Sequence, residues 1–164
     1  MNKSVLFFFG AGPVLVLALT VPRHPLLIYN ASASAPTGFY AVRPKSPLFR
    51  GELVLATAPF WARTLAAERG YLPLEVPVVK RIAALSGDVV CADASSISIN
   101  GTVKVFRLKS DRKGRALPNW IGCKRLGPDD VFLLMPHPES FDGRYFGVIS
   151  ASQISGRLVA LWTR

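Results

Sequence analysis

The sequence predicts one mainly β domain tethered at its N-terminus, and three observations support this. First, its 164 residues suit a single domain with a moderate core. Second, short apolar runs separated by glycine, proline, asparagine and aspartate follow one another from residue 26 onward, which is typical of strands joined by turns. Third, one uncharged apolar stretch precedes them. We therefore expect a membrane anchor over residues 1–25 and one exported, periplasmic domain over residues 26–164.

The N-terminal apolar stretch is predicted to be an uncleaved transmembrane helix. Val5 to Val21 reads VLFFFGAGPVLVLALTV, without a charge, which is at the short end for a membrane-spanning helix. The alternative is a cleaved secretory peptide, because Ala31-Ser32-Ala33 and Ala33-Ser34-Ala35 look like small-residue cleavage sites. Both interpretations place the rest of the chain outside the cytoplasm.

The exported part contains strand-like segments and one helix. An apolar stretch restarts at Leu26 after the proline-bounded break, and Trp61 to Arg69 predicts an amphipathic helix that ends at Gly70. Asn100-Gly101 is the strongest hairpin signal. The predicted strands are Gly38–Val42, Glu52–Ala56, Val76–Leu85, Ile97–Ile99, Thr102–Val105, Val131–Met135 and Gly156–Trp162, and Asp111–Pro118 is a predicted polar loop.

The chain is basic, with a formal net charge of +10. Its cationic residues concentrate in one segment, where a solvated loop face is the favoured interpretation. Contact with anionic lipid headgroups is the second interpretation, and no specific nucleic-acid partner is expected. These residues are Lys104, Arg107, Lys109, Arg112, Lys113, Arg115, Lys124 and Arg125, against Asp111 alone.

The cysteines and histidines limit the chemistry. Cys91 and Cys123 fit either one disulfide in an exported domain or two unpaired buried thiols, and their spacing leaves both open. His24 and His137 are the only histidines and no Cys-x-x-Cys occurs, so no metal or other cofactor is expected. A serine–histidine site is also disfavoured, because His24 adjoins the predicted membrane helix and His137 lies between two prolines.

Serine and lysine offer the chemistry instead. A serine hydroxyl attacks well only when a base removes its proton, and lysine can be that base when burial disfavours its charged form. Strand alternation puts Lys80 on one face with Val78 and Ile82, whereas Arg81 points the other way. The alternative is an edge lysine that reaches solvent.

Two further segments supply partners for Lys80. Ser34 lies among small residues that would leave room for a substrate backbone. Ser140, Asp142 and Arg144 alternate, so they would face the same way on an extended segment, where Arg144 could pair with Asp142.

Together these segments resemble successive motifs of the type I signal peptidases, and more closely their conjugative-transfer branch. The resemblance covers about residues 28–162. It implies a signal-peptidase-like β domain behind one N-terminal transmembrane helix, with Ser/Lys serine endopeptidase activity. The motifs are Asn30-x-Ser32-x-Ser34-x-Pro36-x-Gly38-x-Tyr40, Val79-Lys80-Arg81-Ile82 ending in Gly87-Asp88, Gly114-Arg115-x-Leu117-Pro118-x-Trp120-x-Gly122-Cys123, and Ser140-Phe141-Asp142-x-Arg144-Tyr145-Phe146-Gly147.

The resemblance also implies a role for each candidate residue. Ser34 would be the acyl-forming nucleophile and Lys80 its general base, and Asp142 completes the implied catalytic set. The implied supporting residues are Ser32 as an oxyanion donor beside the backbone N–H of Ser34, Ser140 to orient the amine, and Arg144, which with Asp142 would brace that strand. Cys91 and Cys123 match family positions, which implies a disulfide.

Two departures from ordinary signal peptidases favour a dedicated substrate. Ala35 follows the candidate nucleophile where those enzymes usually carry methionine. Met135 to Glu139 replaces their Gly-Asp-Asn-Arg lead-in to the last motif.

The favoured hypothesis is an enzyme of the inner membrane with its catalytic domain on the periplasmic side. It would process, and by one route cyclise, a conjugative pilin precursor, in contact with the lipid bilayer and a conjugative secretion apparatus. One alternative is a general type I signal peptidase for exported proteins. The other is a non-enzymatic tethered module that binds lipid or nucleic acid through residues 104–125.

Overall fold

A computed structural model describes residues 26–164 of the chain. Strands dominate this part, with two α-helices, α1 (Phe60–Glu68) and α2 (Gly143–Phe146), and one 3-10 turn, so the mainly β prediction is confirmed. The strands are β1 (Leu27–Asn30), β2 (Gly38–Arg43), β3 (Leu53–Ala56), β4 (Val78–Ala84), β5 (Val89–Ala92), β6 (Ser96–Ile99), β7 (Thr102–Phe106), β8 (Gly122–Arg125), β9 (Asp130–Leu134), β10 (Ile149–Ser150) and β11 (Ile154–Thr163).

The predicted membrane anchor, residues 1–25, lies outside the described residues. Within residues 26–164 no helix is both long and apolar enough to cross a bilayer. The division into anchor and exported domain therefore stays a prediction.

The strands form two antiparallel sheets. The larger has seven strands in the order β1-β2-β11-β3-β4-β9-β10, and the smaller has four in the order β7-β6-β5-β8. Strand β4 lies inside the large sheet between β3 and β9, with Val54 opposite Lys80 and Leu134 opposite Arg81. Lys80 is thus carried by an interior strand, which gives it a rigid backbone.

Three apolar clusters form the core, and β4 contributes to each. Ile82 packs with residues of β3, β9 and α1, Val79 packs with Tyr40 of β2, and Ala84 packs under the small sheet. Alternate residues of β4 therefore meet protein on both of its faces. This packing leaves Lys80 only 5% exposed, whereas Arg81, which points the other way on the same strand, is exposed.

The sequence predicted the longer elements and missed three short strands, the apolar β5, the exposed β8 and the two-residue β10. The helix predicted at Trp61 to Arg69 is α1, shifted by one residue, and the predicted hairpin is β6 with β7. Asn100 and Gly101 both have positive φ, 51° and 78°, as a two-residue type I′ turn requires. Strand β8 has four exposed residues, and only its pairing with β5 makes it a strand.

Gly38 permits a close approach of two strands beside the candidate nucleophile loop. Its φ is 150°, and a Cβ there would lie 2.0 Å from the backbone oxygen of Trp162 and 2.8 Å from Cα of Thr163. Only glycine lets β2 lie this close to β11. Gly38 thereby fixes where the loop between β1 and β2 ends.

Cys91 and Cys123 are bonded to each other across the neighbouring strands β5 and β8. The disulfide interpretation of the two cysteines is the one the structure supports. The bond closes a chain segment with a sequence separation of 32 residues, which contains the β6–β7 hairpin and the basic loop.

Removing this disulfide is expected to lower the free energy of unfolding by about 2–4 kcal/mol, because the unfolded chain regains the entropy of an open loop. Chemical denaturation of the wild type and of a Cys91→Ala/Cys123→Ala double variant measures the difference. Reductant should lower the wild-type midpoint and leave the double variant unchanged. Equal midpoints for oxidised and reduced wild type would show that the bond adds no stability.

Candidate active site

The candidate nucleophile Ser34 lies on the loop between β1 and β2. Asn30, the last residue of β1, is buried and holds this loop from inside. Its side-chain amide donates to the backbone oxygens of Ala35, at 3.1 Å, and Pro36, at 3.0 Å, and its side-chain oxygen accepts from the backbone N–H of Ser32. These bonds replace the strand pairing that the loop lacks, so the position of Ser34 is set by backbone contacts.

Tyr40 holds the same loop from the β2 side. Its ring is fully buried, and its hydroxyl donates to the backbone oxygen of Pro36 at 2.6 Å. Sequence reasoning assigned no role to Asn30 or Tyr40. Both residues belong to the motif from Asn30 to Tyr40, and the alternation of polar and small residues in that motif was the only sequence feature that pointed to them.

Lys80 meets Ser34 and Ser140 in one hydrogen-bonded group. Its amine Nζ lies 3.1 Å from Oγ of Ser34 and donates at 2.9 Å to Oγ of Ser140. Lys80 is only 5% exposed and Ser140 only 2%. The alternative of a lysine reaching solvent therefore does not describe this residue.

Burial lowers the pKa of Lys80 from 10.5 to about 8. Desolvation of the ammonium is the largest cause, the negative charge of Asp142 opposes it, and the positive charge of Arg144 adds to it. Hydroxyl groups are the only hydrogen-bond partners of the amine among the described residues. At pH 7 roughly a tenth of the amine is then neutral and able to accept a proton.

Ser32 is bonded to the candidate nucleophile in this structure. Its Oγ lies 2.9 Å from Oγ of Ser34 and accepts from the backbone N–H of Ser34 at 3.3 Å. The two groups that the sequence predicted as oxyanion donors thus contact each other. A substrate carbonyl would have to displace the Ser32 hydroxyl from the Ser34 N–H to use both.

Asp142 and Arg144 form a fully buried ion pair, but not in the arrangement expected from the sequence. Instead of an extended segment, Asp142 caps the first turn of α2 and accepts from the backbone N–H of Arg144 at 3.1 Å. The guanidinium of Arg144 donates two hydrogen bonds, at 2.8 and 3.0 Å, to the carboxylate of Asp142. The predicted pairing of Asp142 with Arg144 is present, but the predicted extended geometry was wrong, because a helical turn and not strand alternation brings these two residues together.

This ion pair holds the segment before Ser140. Asp142 accepts from the backbone N–H of Met135 at 2.9 Å, and Arg144 donates to the backbone oxygens of Met135, at 2.5 Å, and Pro138, at 3.0 Å. Asp142 makes no hydrogen bond to Lys80 or Ser34 within the described part of the chain. Its contacts place it beside the candidate site as a fixed charge and a brace.

A cleft with a volume of about 730 Å³ opens onto Ser34 and Lys80. Its lining includes residues 28–34 and residues 76–80. Over Val78 to Lys80, β4 pairs with β3 on one edge, while its pairing with β9 starts only at Arg81. A strand edge therefore faces the cleft within the described structure, and an extended peptide could pair with it.

The basic segment between residues 104 and 125 contains both buried and exposed cations. Arg107 is buried and donates to the backbone oxygens of Asp93, at 2.8 Å, and Trp120, at 2.7 Å. Arg112 pairs with Glu139 and Arg115 with Asp111. The remaining cations of the segment are exposed, which fits the solvated loop face that the sequence favoured: Lys104, Lys109, Lys113, Lys124 and Arg125. Within residues 26–164 no three histidine, cysteine, aspartate or glutamate side chains are grouped to hold a metal.

Comparison with known proteins identifies the class. The sequence profile of the signal peptidase family, peptidase S26, matches residues 1–163. The chain therefore belongs to this family, which makes it a serine peptidase. The resemblance found in the sequence motifs is thereby confirmed.

Relatives with recorded functions come from plasmid and conjugal transfer. A plasmid transfer protein TraF of Escherichia coli is 32% identical over 156 residues, which are 88% of this chain and 87% of that protein. A conjugal transfer protein TraF of Agrobacterium fabrum is 30% identical over 165 residues, 94% of this chain and 93% of that protein. The solved structure of a signal peptidase I from Enterococcus faecalis V583 aligns with a TM-score of 0.41 and 20% identity, over 71% of this chain and 100% of that one.

Replacing Lys80 by methionine is expected to stabilise the protein at neutral pH by about 2 kcal/mol, since a buried ammonium is removed. Between pH 8 and 10.5 the folded wild type is mostly neutral at Lys80 while the unfolded chain keeps its proton. The wild type therefore gains stability as pH rises through this window, and the difference should shrink. Denaturation at pH 7, 9 and 10.5 measures it, with the exposed Lys45→Met as control; a constant difference would contradict a buried, depressed amine.

Replacing Asp142 by asparagine is expected to lower the pKa of Lys80 further, because the charge that opposes desolvation is lost and Arg144 stays. The midpoint of the rise in peptidase activity with pH should move below that of the wild type. Stability should fall by about 3–5 kcal/mol, as for a broken buried pair. Glu139→Gln removes the same charge at a more exposed pair and is the control; an unshifted midpoint for Asp142→Asn would leave that carboxylate a purely structural role.

Proposed function

We propose that this chain is a membrane-bound serine endopeptidase that uses Ser34 and Lys80 as a catalytic dyad and processes a pilin precursor in conjugative transfer. The observation that carries the proposal is the 3.1 Å contact between the buried amine of Lys80 and the hydroxyl of Ser34. Family membership supports the peptidase class. The plasmid and conjugal transfer relatives support the process.

In the first step the neutral amine of Lys80 accepts the proton of the Ser34 hydroxyl while Oγ attacks the scissile carbonyl carbon. Ser140 accepts one N–H of the amine, which directs the nitrogen lone pair toward Ser34. The protonated amine then donates to the leaving nitrogen as the carbon–nitrogen bond breaks. One lysine thus serves as base and then as acid.

The backbone N–H of Ser34 and the hydroxyl of Ser32 would stabilise the negative oxygen of the tetrahedral intermediate. Donors of this kind contribute about 3 kcal/mol each to the transition state. Their mutual contact in the absence of substrate, at 3.3 Å, keeps both near the place where that oxygen forms. When the substrate carbonyl oxygen enters, it replaces the hydrogen bond between the Ser34 N–H and Ser32 Oγ and accepts one hydrogen bond from each of these two groups.

Asp142 and Arg144 act on this chemistry without touching the reacting atoms. Their hydrogen bonds to the 135–138 segment support the loop that carries Ser140. Their opposite charges act on the pKa of Lys80 in opposite directions. We assign both residues a positioning role.

The substrate binds as an extended strand in the cleft between residues 28–34 and 76–80. Small side chains near its scissile bond would fit beside Ala33 and Ala35. The resulting acyl-enzyme can pass its acyl group to water, giving a linear product, or to the amine at the substrate's own N-terminus, giving a ring. A peptidase dedicated to one pilin is compatible with either acceptor.

We place the enzyme in the inner membrane, anchored by residues 1–25, with its catalytic domain in the periplasm. The uncharged stretch from Val5 to Val21 supports the anchor. The disulfide between Cys91 and Cys123 supports an oxidising compartment. Tethering would keep Ser34 close to the bilayer, where a membrane-bound precursor presents its cleavage site.

Ser34→Ala and Lys80→Ala should each abolish processing of a co-expressed pilin precursor, and Lys80→Arg should do the same because arginine cannot give up its proton in a protein. Intact-mass spectrometry of the pilin measures cleavage, and the loss of one further water distinguishes a ring from a linear product.

Lys45→Ala, at an exposed position, is the matched control and should process normally. Cleavage retained in Ser34→Ala would remove that residue from the mechanism. Rescue of a strain lacking its housekeeping signal peptidase would favour a general substrate range over a pilin.

A further inference from the structure

A second cavity also has Ser34 in its lining. Its volume is about 480 Å³, and the linings of the two cavities share Ala33, Ser34 and His137. Ser34 therefore lies where the two cavities meet. In an acyl transfer the enzyme must bind two parts of the substrate, the acyl part and the leaving part, which lie on either side of the attacked carbonyl. The two cavities provide one space for each part.

Strand alternation sends neighbouring cations into different cavities. Lys80 lines the large cleft, whereas Arg81, the next residue of β4, lines the second cavity. The free strand edge lies in the large cleft, which suits the extended acyl half of a substrate. The second cavity is thus left for the half that departs.

The second cavity is positively charged and has no acidic side chain in its lining. Its charged residues are Arg81 and Arg164. Within the described residues neither guanidinium has a carboxylate partner within salt-bridge distance. Arg81 donates to the backbone oxygen of Gly51, and Arg164 lies over the ring of Trp162 at 4.7 Å.

The large cleft differs in this respect. Its lining includes carboxylates: Arg112 pairs with Glu139, and Arg69 and Arg115 pair with Asp111. Lys80 and Lys113 also line it and have no carboxylate partner among the described residues. Carboxylates therefore offset part of the positive charge in the large cleft, whereas no carboxylate side chain of the described lining offsets Arg81 and Arg164 in the second cavity.

We propose that the second cavity is the leaving-group site and that it selects a departing peptide with a negative charge near the scissile bond. The proposal rests on the proposed function of Ser34. When Oγ of Ser34 bonds to the carbonyl carbon and the carbon–nitrogen bond breaks, the new amine takes its proton from Lys80 and leaves through this cavity. By microscopic reversibility an acceptor amine enters from the same side, so an acceptor peptide with a negative charge is favoured too.

Four internally quenched peptides test the proposal with the purified full-length chain. All share one acyl half that ends in Ala-Ser-Ala, and their leaving halves are Ala-Glu amide, Ala-Gln amide, Ala-Gln with a free carboxylate, and Ala-Lys amide. Glutamate against glutamine measures a side-chain charge, and free acid against amide measures a terminal carboxylate. We expect kcat/KM on the order of fivefold higher for each negatively charged probe than for the neutral one, as for a charge-assisted hydrogen bond, and lowest for the lysine probe.

Arg81→Gln should abolish this preference, and Arg81→Glu should reverse it toward the lysine probe. Arg81 is exposed, so these variants should fold, and Arg164→Gln provides an independent loss of charge in the same cavity. Lys104→Gln removes one positive charge from exposed β7, outside both cavities, and should keep the wild-type preference.

Equal rates for all four probes, abolished by Ser34→Ala, would overturn the leaving-group site while the proposed function stands. An equal loss of preference in Lys104→Gln and Arg81→Gln would overturn it as well, since the effect would then come from overall charge. If no probe shows cleavage that depends on Ser34, the proposed function fails and the leaving-group site with it.

Discussion

The burial of one lysine amine among hydroxyl groups is the constraint on which the rest of the site depends. Lys80 keeps its amine within reach of Ser34 and Ser140, and no carboxylate of residues 26–164 is bonded to it. A carboxylate at hydrogen-bond distance would stabilise the ammonium and raise the pKa of Lys80, so less of the amine would be neutral at pH 7. The interior strand β4 and the apolar residues packed against it bury Lys80, and these dry surroundings favour the neutral amine.

The ion pair of Asp142 and Arg144 holds the loop that carries Ser140 next to Lys80. The loop that carries Ser140 must be rigid, yet a strong charge on it would disturb Lys80. A buried pair with bonds to three backbone groups of the loop supplies rigidity, while its two charges act on the amine in opposite senses. Such pairs cost desolvation and are weak evidence for stability. The contribution of this ion pair is to fix the position of the Ser140 hydroxyl.

The loop of Ser34 combines two properties that usually conflict. Small residues leave room for a substrate, and small residues alone would leave a loop without a defined shape. The buried side chains of Asn30 and Tyr40 give the loop a defined shape, because they donate hydrogen bonds to its backbone oxygens. Ser34 is then held between a cleft with a free strand edge and a cavity with positive charge, an arrangement suited to separating the two halves of a cleaved peptide.

Sequence alone determined the mainly β class, the helix after β3, the Asn100-Gly101 hairpin, and the candidate set Ser34, Lys80 and Ser140, because apolar periodicity and residue chemistry are local properties. It could not place β8, whose exposed residues become a strand only beside β5, nor the helical turn that joins Asp142 to Arg144. Tertiary structure also decided the depth of Lys80 and the roles of Asn30 and Tyr40, since burial and long-range hydrogen bonds arise only when distant segments pack. The free energy that lowers the pKa of Lys80 comes from that packing.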